Sequence, residues 1–367
     1  MKILLFRSNN LMASRCNKYV NFYEREGLDY TAVGWDREGK GIKKEHYDFY
    51  RYKAGVSVGG FKAIMNHLHW MYFVYKYIKQ NPETTTVHAC DLNSALPAAL
   101  YKKLHKKDLV VIFDACDWFS ANFFEMGQVR KVLEWMEQIT YKWSDKLIIC
   151  EPEREEQITF KLKEKPLVLP NIPEIKPSQI SQDIERFKFN NDWPTLAYFG
   201  GFSGDRFLLE ILELARTERF NLLIGGFGFK PVEDLCEELS RQDNVKYFGR
   251  MTMSEGLAMT SCADATYAMY CKVNPNNIYA APNKLYEAMF LGKPIITTKG
   301  TIVERKVTAS EIGYVIDETV GELKDLINSL DLRDLLIKGS NAKSLWNSMY
   351  KDYVANFFRE FYSTIIK

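Results

Sequence analysis

The sequence predicts an α/β protein made of two Rossmann-like domains, on three observations. Short β-branched or apolar runs alternate with longer helical patterns through the first half. Pro170, Pro173, Pro177 and Pro194 then break that pattern within a mostly polar stretch. After the break the alternation restarts. Alternation of this kind implies parallel sheets covered on both faces, and 367 residues exceed what one hydrophobic core usually serves.

In the first half, strands are expected at 2–6, 30–35, 84–89, 109–115 and 146–150. Helices are expected at 14–26, 61–79, 93–105, 128–143 and 153–162. In the second half, strands are expected at 195–200, 221–225, 245–248, 263–269, 294–298 and 313–316. The expected organisation is a first domain over 1–172, a linker over 173–194 and a second domain over 195–344. A final helix over 345–367 then crosses back onto the first domain. Val354, Phe357, Phe358, Phe361 and Tyr362 mark its apolar face. Two such sheets bind ligands beyond the carboxyl ends of their strands, so the domains are expected to face a central cleft.

Composition removes several function classes. A formal net charge of +2 supplies no global field for a nucleic acid. The seven cysteines are scattered and form no Cys-x-x-Cys pair, so neither a zinc site nor a disulfide framework is expected. The opening MKILLFRSNN reads as a first strand and no stretch is long and apolar enough to span a bilayer. Work in the cytoplasm, or at the inner face of its membrane, is the expectation.

The most informative stretch is 263–296. A strand ends near Tyr270, an asparagine-rich loop follows, and Pro282 introduces a helix that Gly292 stops. A helix N-terminus is an anion site. Lys284 adds a mobile positive charge beside Asn283. Glu287 lies three residues on, on the same helical face, placed to accept hydrogen bonds from ribose hydroxyls. Together they describe a site for a nucleoside diphosphate that carries its sugar.

The run PNKLYEAMFLGKPII (282–296) resembles the donor motif of glycosyltransferase family 4 and its GT-B relatives. The resemblance implies the GT-B fold, Lys284 on the pyrophosphate and Glu287 on the ribose. Many relatives carry a Glu-x7-Glu pair ending at this glutamate. Here Tyr279 holds the earlier position, in a spelling that resembles a bacterial branch of the family. The implied activity is transfer of a sugar from a UDP- or GDP-type donor to a hydroxyl acceptor, with retention and without a metal. The implied setting is cell-surface polysaccharide or glycoconjugate synthesis. No cofactor is expected, the nucleotide sugar being a substrate. A glycan or lipid-linked acceptor is the expected second partner, and no nucleic acid is.

Further candidates surround this motif. Gly200 and Gly201 end a strand and let backbone approach a phosphate, with Arg206 the nearest basic residue. A simple tight turn fits that stretch as well. The run FGRM (248–251) resembles the loop beside the nucleotide base, which marks Arg250 and Met251. IGGFGF (224–229) is no dinucleotide fingerprint, because Pro231 stands where the third glycine should be.

In the first half, Arg15 resembles a family arginine ahead of a helix near the cleft, and a solvated helix start fits it equally. His88 and Asp91 end a strand. They fit a ligand site or, for Asp91, a helix cap. Where relatives read Asp-x-His-Glu, this chain has Asp114, Cys116 and Asp117. Either Asp114 or Asp117 is then the candidate to orient or deprotonate an acceptor hydroxyl. The helical pattern at 61–79 has two apolar sides, with a lysine run nearby. It fits a peripheral membrane contact or, as the plainer reading, a helix buried on both sides. Two other functions fit the architecture: a non-hydrolysing sugar-nucleotide epimerase, or a non-catalytic GT-B partner protein. The first lacks a His and carboxylate set around the donor motif. The second draws on the departures at Tyr279 and Cys116.

Overall fold

The computed structural model describes residues 1–11, 14–41, 43–54, 60–123, 126–174 and 176–366. The chain divides into two compact units, one of Met1–Asn171 with Val354–Lys367 and one of Ile172–Tyr353.

The first unit holds strands β1 (Lys2–Phe6), β2 (Asp29–Trp35), β3 (Tyr47–Tyr50), β4 (Thr84–Cys90), β5 (Val110–Ala115), β6 (Lys146–Ile149) and β7 (Leu167–Val168). They form one parallel sheet in the order β3-β2-β1-β4-β5-β6-β7. Its principal helices are α1 (Ser14–Arg25), α2 (Gly60–Gln80), α3 (Leu92–Leu104) and α4 (Gly127–Trp143). Side chains alternate across the sheet, as the two-residue period of a strand requires. Leu4, Phe6, Val87, Ala89, Val111 and Phe113 bury against Trp70, Val74, Ile78 and Ala98 of α2 and α3. The opposite parity sends His88 and Asp114 to the other face, where α1 brings Tyr19 and Tyr23. Val354, Phe357, Phe358 and Tyr362 of the returning terminal segment are buried there too, while Phe361 is exposed.

The second unit is a six-stranded parallel sheet of β8 (Thr195–Phe199), β9 (Asn221–Gly225), β10 (Val245–Tyr247), β11 (Ala265–Ala268), β12 (Ile295–Thr298) and β13 (Gly313–Ile316). Its order is β10-β9-β8-β11-β12-β13. Its helices are α5 (Leu208–Leu214), α6 (Lys230–Leu239), α7 (Met253–Ser261), α8 (Pro275–Ile278), α9 (Asn283–Leu291), α10 (Ile302–Ala309), α11 (Val320–Ser329) and α12 (Leu332–Leu345). Leu196, Tyr198, Leu222, Ile224 and Tyr267 pack toward α5 and α6, with Ile211 and Cys236. Ala197 and Leu223 face α7 with Ala258 and Met259.

Four expectations change. The 153–162 helix is only a 3-10 turn at Pro152–Gln157. The Arg154 carbonyl accepts the indole N–H of Trp118 at 3.2 Å, and Ile158 N–H turns to the Glu155 carbonyl instead. The 173–194 stretch packs into the second unit and is not a free linker, because Phe187 is buried against the α7 side of that sheet. The final helix is shared. Trp346 and Tyr350 pack on Phe290 and Tyr286, so the chain joins the first unit only at Val354. Strands β3 and β7 were not expected, being four and two residues long at the two edges of their sheet.

Tyr362 anchors the returning segment. Its hydroxyl lies 2.5 Å from that of Tyr23 and 2.8 Å from His88 Nδ1, with no exposure to water. Tyr362→Phe strands both partners in a dry interior. It should cost about 1–3 kcal/mol and lower the melting temperature by several degrees. An unchanged melting temperature would contradict this packing.

Candidate functional site

In the second unit three strand ends meet through close backbone contacts. Gly200 N–H donates to the Gly225 carbonyl at 3.0 Å, and Gly226 N–H donates to the Gly249 carbonyl at 2.7 Å. Gly226 has φ +156°, and a Cβ there would collide with the Gly200 carbonyl oxygen. Gly200, at φ +149°, leaves room for Lys284, whose Nζ would lie 2.6 Å from a Cβ at that position. The glycine thus makes space for a side chain, and its N–H is already used. Of the pair expected to approach a phosphate, Gly201 alone is exposed.

Helix α9 presents Lys284 and Glu287. Pro282 is extended (φ −74°, ψ 136°) and immediately precedes the first helical residue, Asn283. Gly292 closes the helix in the left-handed region at φ 70°. The Lys284 ammonium sits 4.6 Å from the ring centroid of Tyr198. Loss of water pushes the Lys284 pKa down to about 8; the Glu287 charge opposes this and the Arg206 charge adds to it. Glu287 is buried, and burial pushes its carboxyl up to about 7 against the pull of Lys284. A helix tip with a cation of this kind is short of negative charge.

Arg206 lies in the turn before α5. It pairs with Asp205 at 2.9 Å, donates to Asn277 Oδ1 at 3.1 Å and covers the ring of Tyr270 at 4.6 Å. Asp205 also accepts from Asn277 at 2.8 Å and from Asn274 at 3.4 Å. The asparagine-rich loop is therefore tied to the loop after β8, bringing Gly200, Arg206 and Lys284 into one patch. Tyr279 ends α8 and is half-buried. Met251 rests against Gly225, and Arg250 stacks on Phe227 at 3.6 Å. Tyr198, Asp205 and Asn277 belong to this patch and were missed. The only sequence signal for Asp205 was its place after the glycine turn.

In the first unit the structure separates the candidates. Asp114 is fully buried and has no free face. Arg15 holds it through Nε (2.8 and 3.0 Å) and Nη2 (2.5 Å), with Tyr19 hydroxyl at 3.0 Å and His88 Nε2 at 3.2 Å. Burial alone would raise this carboxyl; the Arg15 charge and the bonds from His88 and Arg15 outweigh it and hold it well below the usual range. Burial lowers the His88 pKa, although Asp114 opposes the shift. The expectation that Asp114 or His88 meets an acceptor is thus corrected. Both are interior, and the sheet face they occupy is covered by α1 and Tyr362. Arg15 is buried with them, neither a solvated helix start nor an open ligand contact. His88, Cys90 and Asp114 are the one group of metal-ligand types gathered among the described residues, and the Arg15 guanidinium already occupies its carboxylate.

Asp117 and Asp91 differ from Asp114. Asp117 is exposed and accepts from the buried Arg154 at 2.9 Å. Asp91 ends β4 beside β1, where the strand order reverses. Its φ 63° and ψ 163° fall in a region that side chains other than glycine avoid at a cost of about 1–3 kcal/mol. Its side chain does not cap α3; it accepts the Cys116 N–H at 3.2 Å. Burial pushes its carboxyl up to about 6, opposed by Arg7 and reinforced by Asp117 and Asp114.

Residues 182–334, which carry the Gly200, Arg206 and Lys284 patch, match the family described as Glycosyl transferases group 1. The match covers 153 of the 367 residues. The whole chain is similar in structure to sucrose-phosphate synthase from Thermosynechococcus elongatus, at TM-score 0.75 and 14% identity, over 100% of this chain and 99% of that one. WaaG, a glycosyltransferase involved in lipopolysaccharide biosynthesis, matches at TM-score 0.65 and 14% identity over 95% and 96%. A putative UDP-N-acetylglucosamine 2-epimerase from Listeria monocytogenes matches at TM-score 0.63 and 12% identity over 93% and 90%. At such identities these likenesses show the fold, which is GT-B. No curated protein sequence matches the chain. The group 1 domain supports glycosyl transfer as the activity class.

A diphosphate held by Lys284 would need its ammonium protonated, and burial brings that pKa down to about 8. Above about pH 8, beyond the ionisation of Glu287, calorimetric affinity for UDP or GDP should therefore fall by up to about tenfold per pH unit. Lys284→Arg should abolish that alkaline limb. A wild-type affinity unchanged from pH 7 to 9.5 would remove Lys284 from the site.

Proposed function

We propose that the chain transfers a sugar from a UDP- or GDP-type nucleotide sugar to a hydroxyl acceptor. The observation that carries this is Lys284, a cation with too little water around it at a helix tip, next to the buried acid Glu287. A pyrophosphate would supply the missing counter-charge, and ribose hydroxyls would donate to Glu287. As the donor diphosphate departs, Lys284 and the positive end of α9 would stabilise its growing charge without needing a metal. The stereochemical outcome implied by the family resemblance is retention. Asp117 and the strained Asp91 replace Asp114 as the carboxylates offered to an acceptor hydroxyl. Epimerases share the fold, so fold alone does not choose between the two reactions. The group 1 match favours transfer.

The lipid-linked class of acceptor and a membrane contact also belong to this reading. Helices α2, α3 and α4 carry eight basic residues and two acidic ones, Glu134 and Glu137, in a chain whose net charge is +2. Glu134 pairs with Arg130 and Glu137 is buried on Ser120. Between these helices lies an entirely apolar groove of about 510 Å³, lined by Met71, Tyr72, Leu96, Leu100, Trp135 and Ile139 among others. Tyr72 and Trp135 stand exposed beside it, as do Ile64 and Leu68 further along α2, so the helix is not buried on both sides. Anionic headgroups and acyl chains match this surface. We place synthesis of a cell-surface glycan there on that ground.

Lys284→Ala and Glu287→Ala should each lower turnover on the order of 100-fold or more while circular dichroism stays native. Full activity in both variants would overturn the donor site. A sugar nucleotide converted to its epimer without any acceptor would favour the epimerase. Vesicles of phosphatidylglycerol should sediment the wild type, and Tyr72→Ser with Trp135→Ser should weaken this at least fivefold. Equal sedimentation by neutral phosphatidylcholine vesicles, or no sedimentation at all, would contradict the membrane contact.

A further inference from the structure

A second polar pocket lies in the first unit, at the carboxyl ends of the neighbouring strands β1 and β2. It encloses about 210 Å³, and Ser8, Asn9, Asn10, Arg37, Glu38 and Lys40 are among its lining residues. Its walls are firmly built. Gly34 lets the two strand ends touch, since a Cβ there would stand 2.7 Å from the Asn9 carbonyl oxygen. Trp35 N–H donates to that carbonyl at 2.8 Å, and Leu11 N–H donates to Asn9 Oδ1 at 2.9 Å. The Asp36 carboxylate fastens the next turn by accepting the Lys40 and Gly41 N–H groups, both at 2.9 Å.

Arg37 stands out in this pocket. Its guanidinium carbon lies 4.3 Å over the Trp35 ring, and Trp35 is itself buried and stacked on Trp70. The acids beside it are committed elsewhere: Asp36 to backbone, and Glu38 to Lys40 at 2.5 Å. Among the described residues, the buried Arg37 Nε has no hydrogen-bond partner at all. Arg37 is half-buried, and among the described residues no carboxylate pairs with its planar, charged fork, for which a bidentate oxyanion is the natural complement. The neighbouring groups suit hydroxyls. Asn93 Nδ2 donates to Ser8 Oγ at 2.9 Å and to His67 Nδ1 at 2.9 Å, which leaves the proton of a neutral His67 on Nε2. Burial and then the Arg37 charge favour that neutral ring.

We propose that this pocket binds an oxyanion, a phosphate or a carboxylate, borne by a polyhydroxylated acceptor, with Arg37 as its specificity-determining residue. The proposal deepens the glycosyltransferase reading by naming the acceptor as anionic. It stands on residues apart from the donor motif. A sugar phosphate and a uronic acid share the required chemistry, so the test separates them.

The experiment is calorimetry on the full-length Lys284→Ala protein, in which the donor phosphate site is disabled. The probes are inorganic phosphate, methyl glucuronide and methyl glucoside. At least one anionic probe should bind tenfold or more tightly than methyl glucoside, and which one does tells phosphate from carboxylate. Adding Arg37→Gln should remove that preference, and Arg37→Lys should restore part of it. In the protein with Lys284 intact, Arg37→Gln should leave UDP or GDP affinity unchanged. Failure of the nucleotide to bind would sink the donor reading and leave this pocket standing. Anion affinity unaltered by Arg37→Gln, or no anion binding in the parent, would overturn the proposal.

Discussion

The proposed donor site depends on one close approach, the Lys284 ammonium lying against the backbone of Gly200. The contact requires a residue without a side chain at the end of β8, and it requires α9 to begin where Pro282 sets it. It also explains why a cation is held where water is scarce. A Cβ at 226 would strike the Gly200 carbonyl, and a Cβ at 200 would strike the Lys284 ammonium. The cost of desolvating that ammonium is only partly offset by Glu287, since Arg206 adds repulsion. Such an imbalance is expected where a charged ligand completes the field.

The first unit solves the opposite problem. Its Arg15–Asp114 pair is satisfied on every side, so it contributes order and no reactivity. Breaking such a pair leaves an unmatched buried charge, whereas the intact pair is nearly silent energetically. Two carboxylates at the same strand ends differ from it and are the ones proposed to meet an acceptor: Asp117, exposed on its Arg154 partner, and Asp91, kept in a backbone shape that costs energy. The strain at Asp91 sits where β1 and β4 diverge, the place at which open parallel sheets collect ligands. The Arg37 pocket lies one strand further along the same edge.

Local patterns were legible in the sequence and distant pairings were not. The strands at 2–6, 221–225 and 313–316 emerged at their true bounds, because apolar runs between turn residues report buried parallel strands directly. The α9 tip was equally legible, since Pro282, Lys284, Glu287 and Gly292 act through fixed helical offsets. By contrast, Arg15 and Asp114 are 99 residues apart, and a polar residue at a strand end reads alike whether its face is covered or open. The 153–162 helix stops as a 3-10 turn at Gln157, where the Arg154 carbonyl accepts from a tryptophan 36 residues away, a pairing that local sequence does not report. Gly200 and Lys284 were each singled out, but their contact across 84 positions was not.

A structure of the protein with UDP or GDP bound is the most direct test of the central claim. The diphosphate oxygens are expected within hydrogen-bond reach of Lys284 Nζ beside Gly201, and the ribose hydroxyls on the Glu287 carboxylate. A nucleotide seated elsewhere, or held with Lys284 and Glu287 both out of contact, would contradict it.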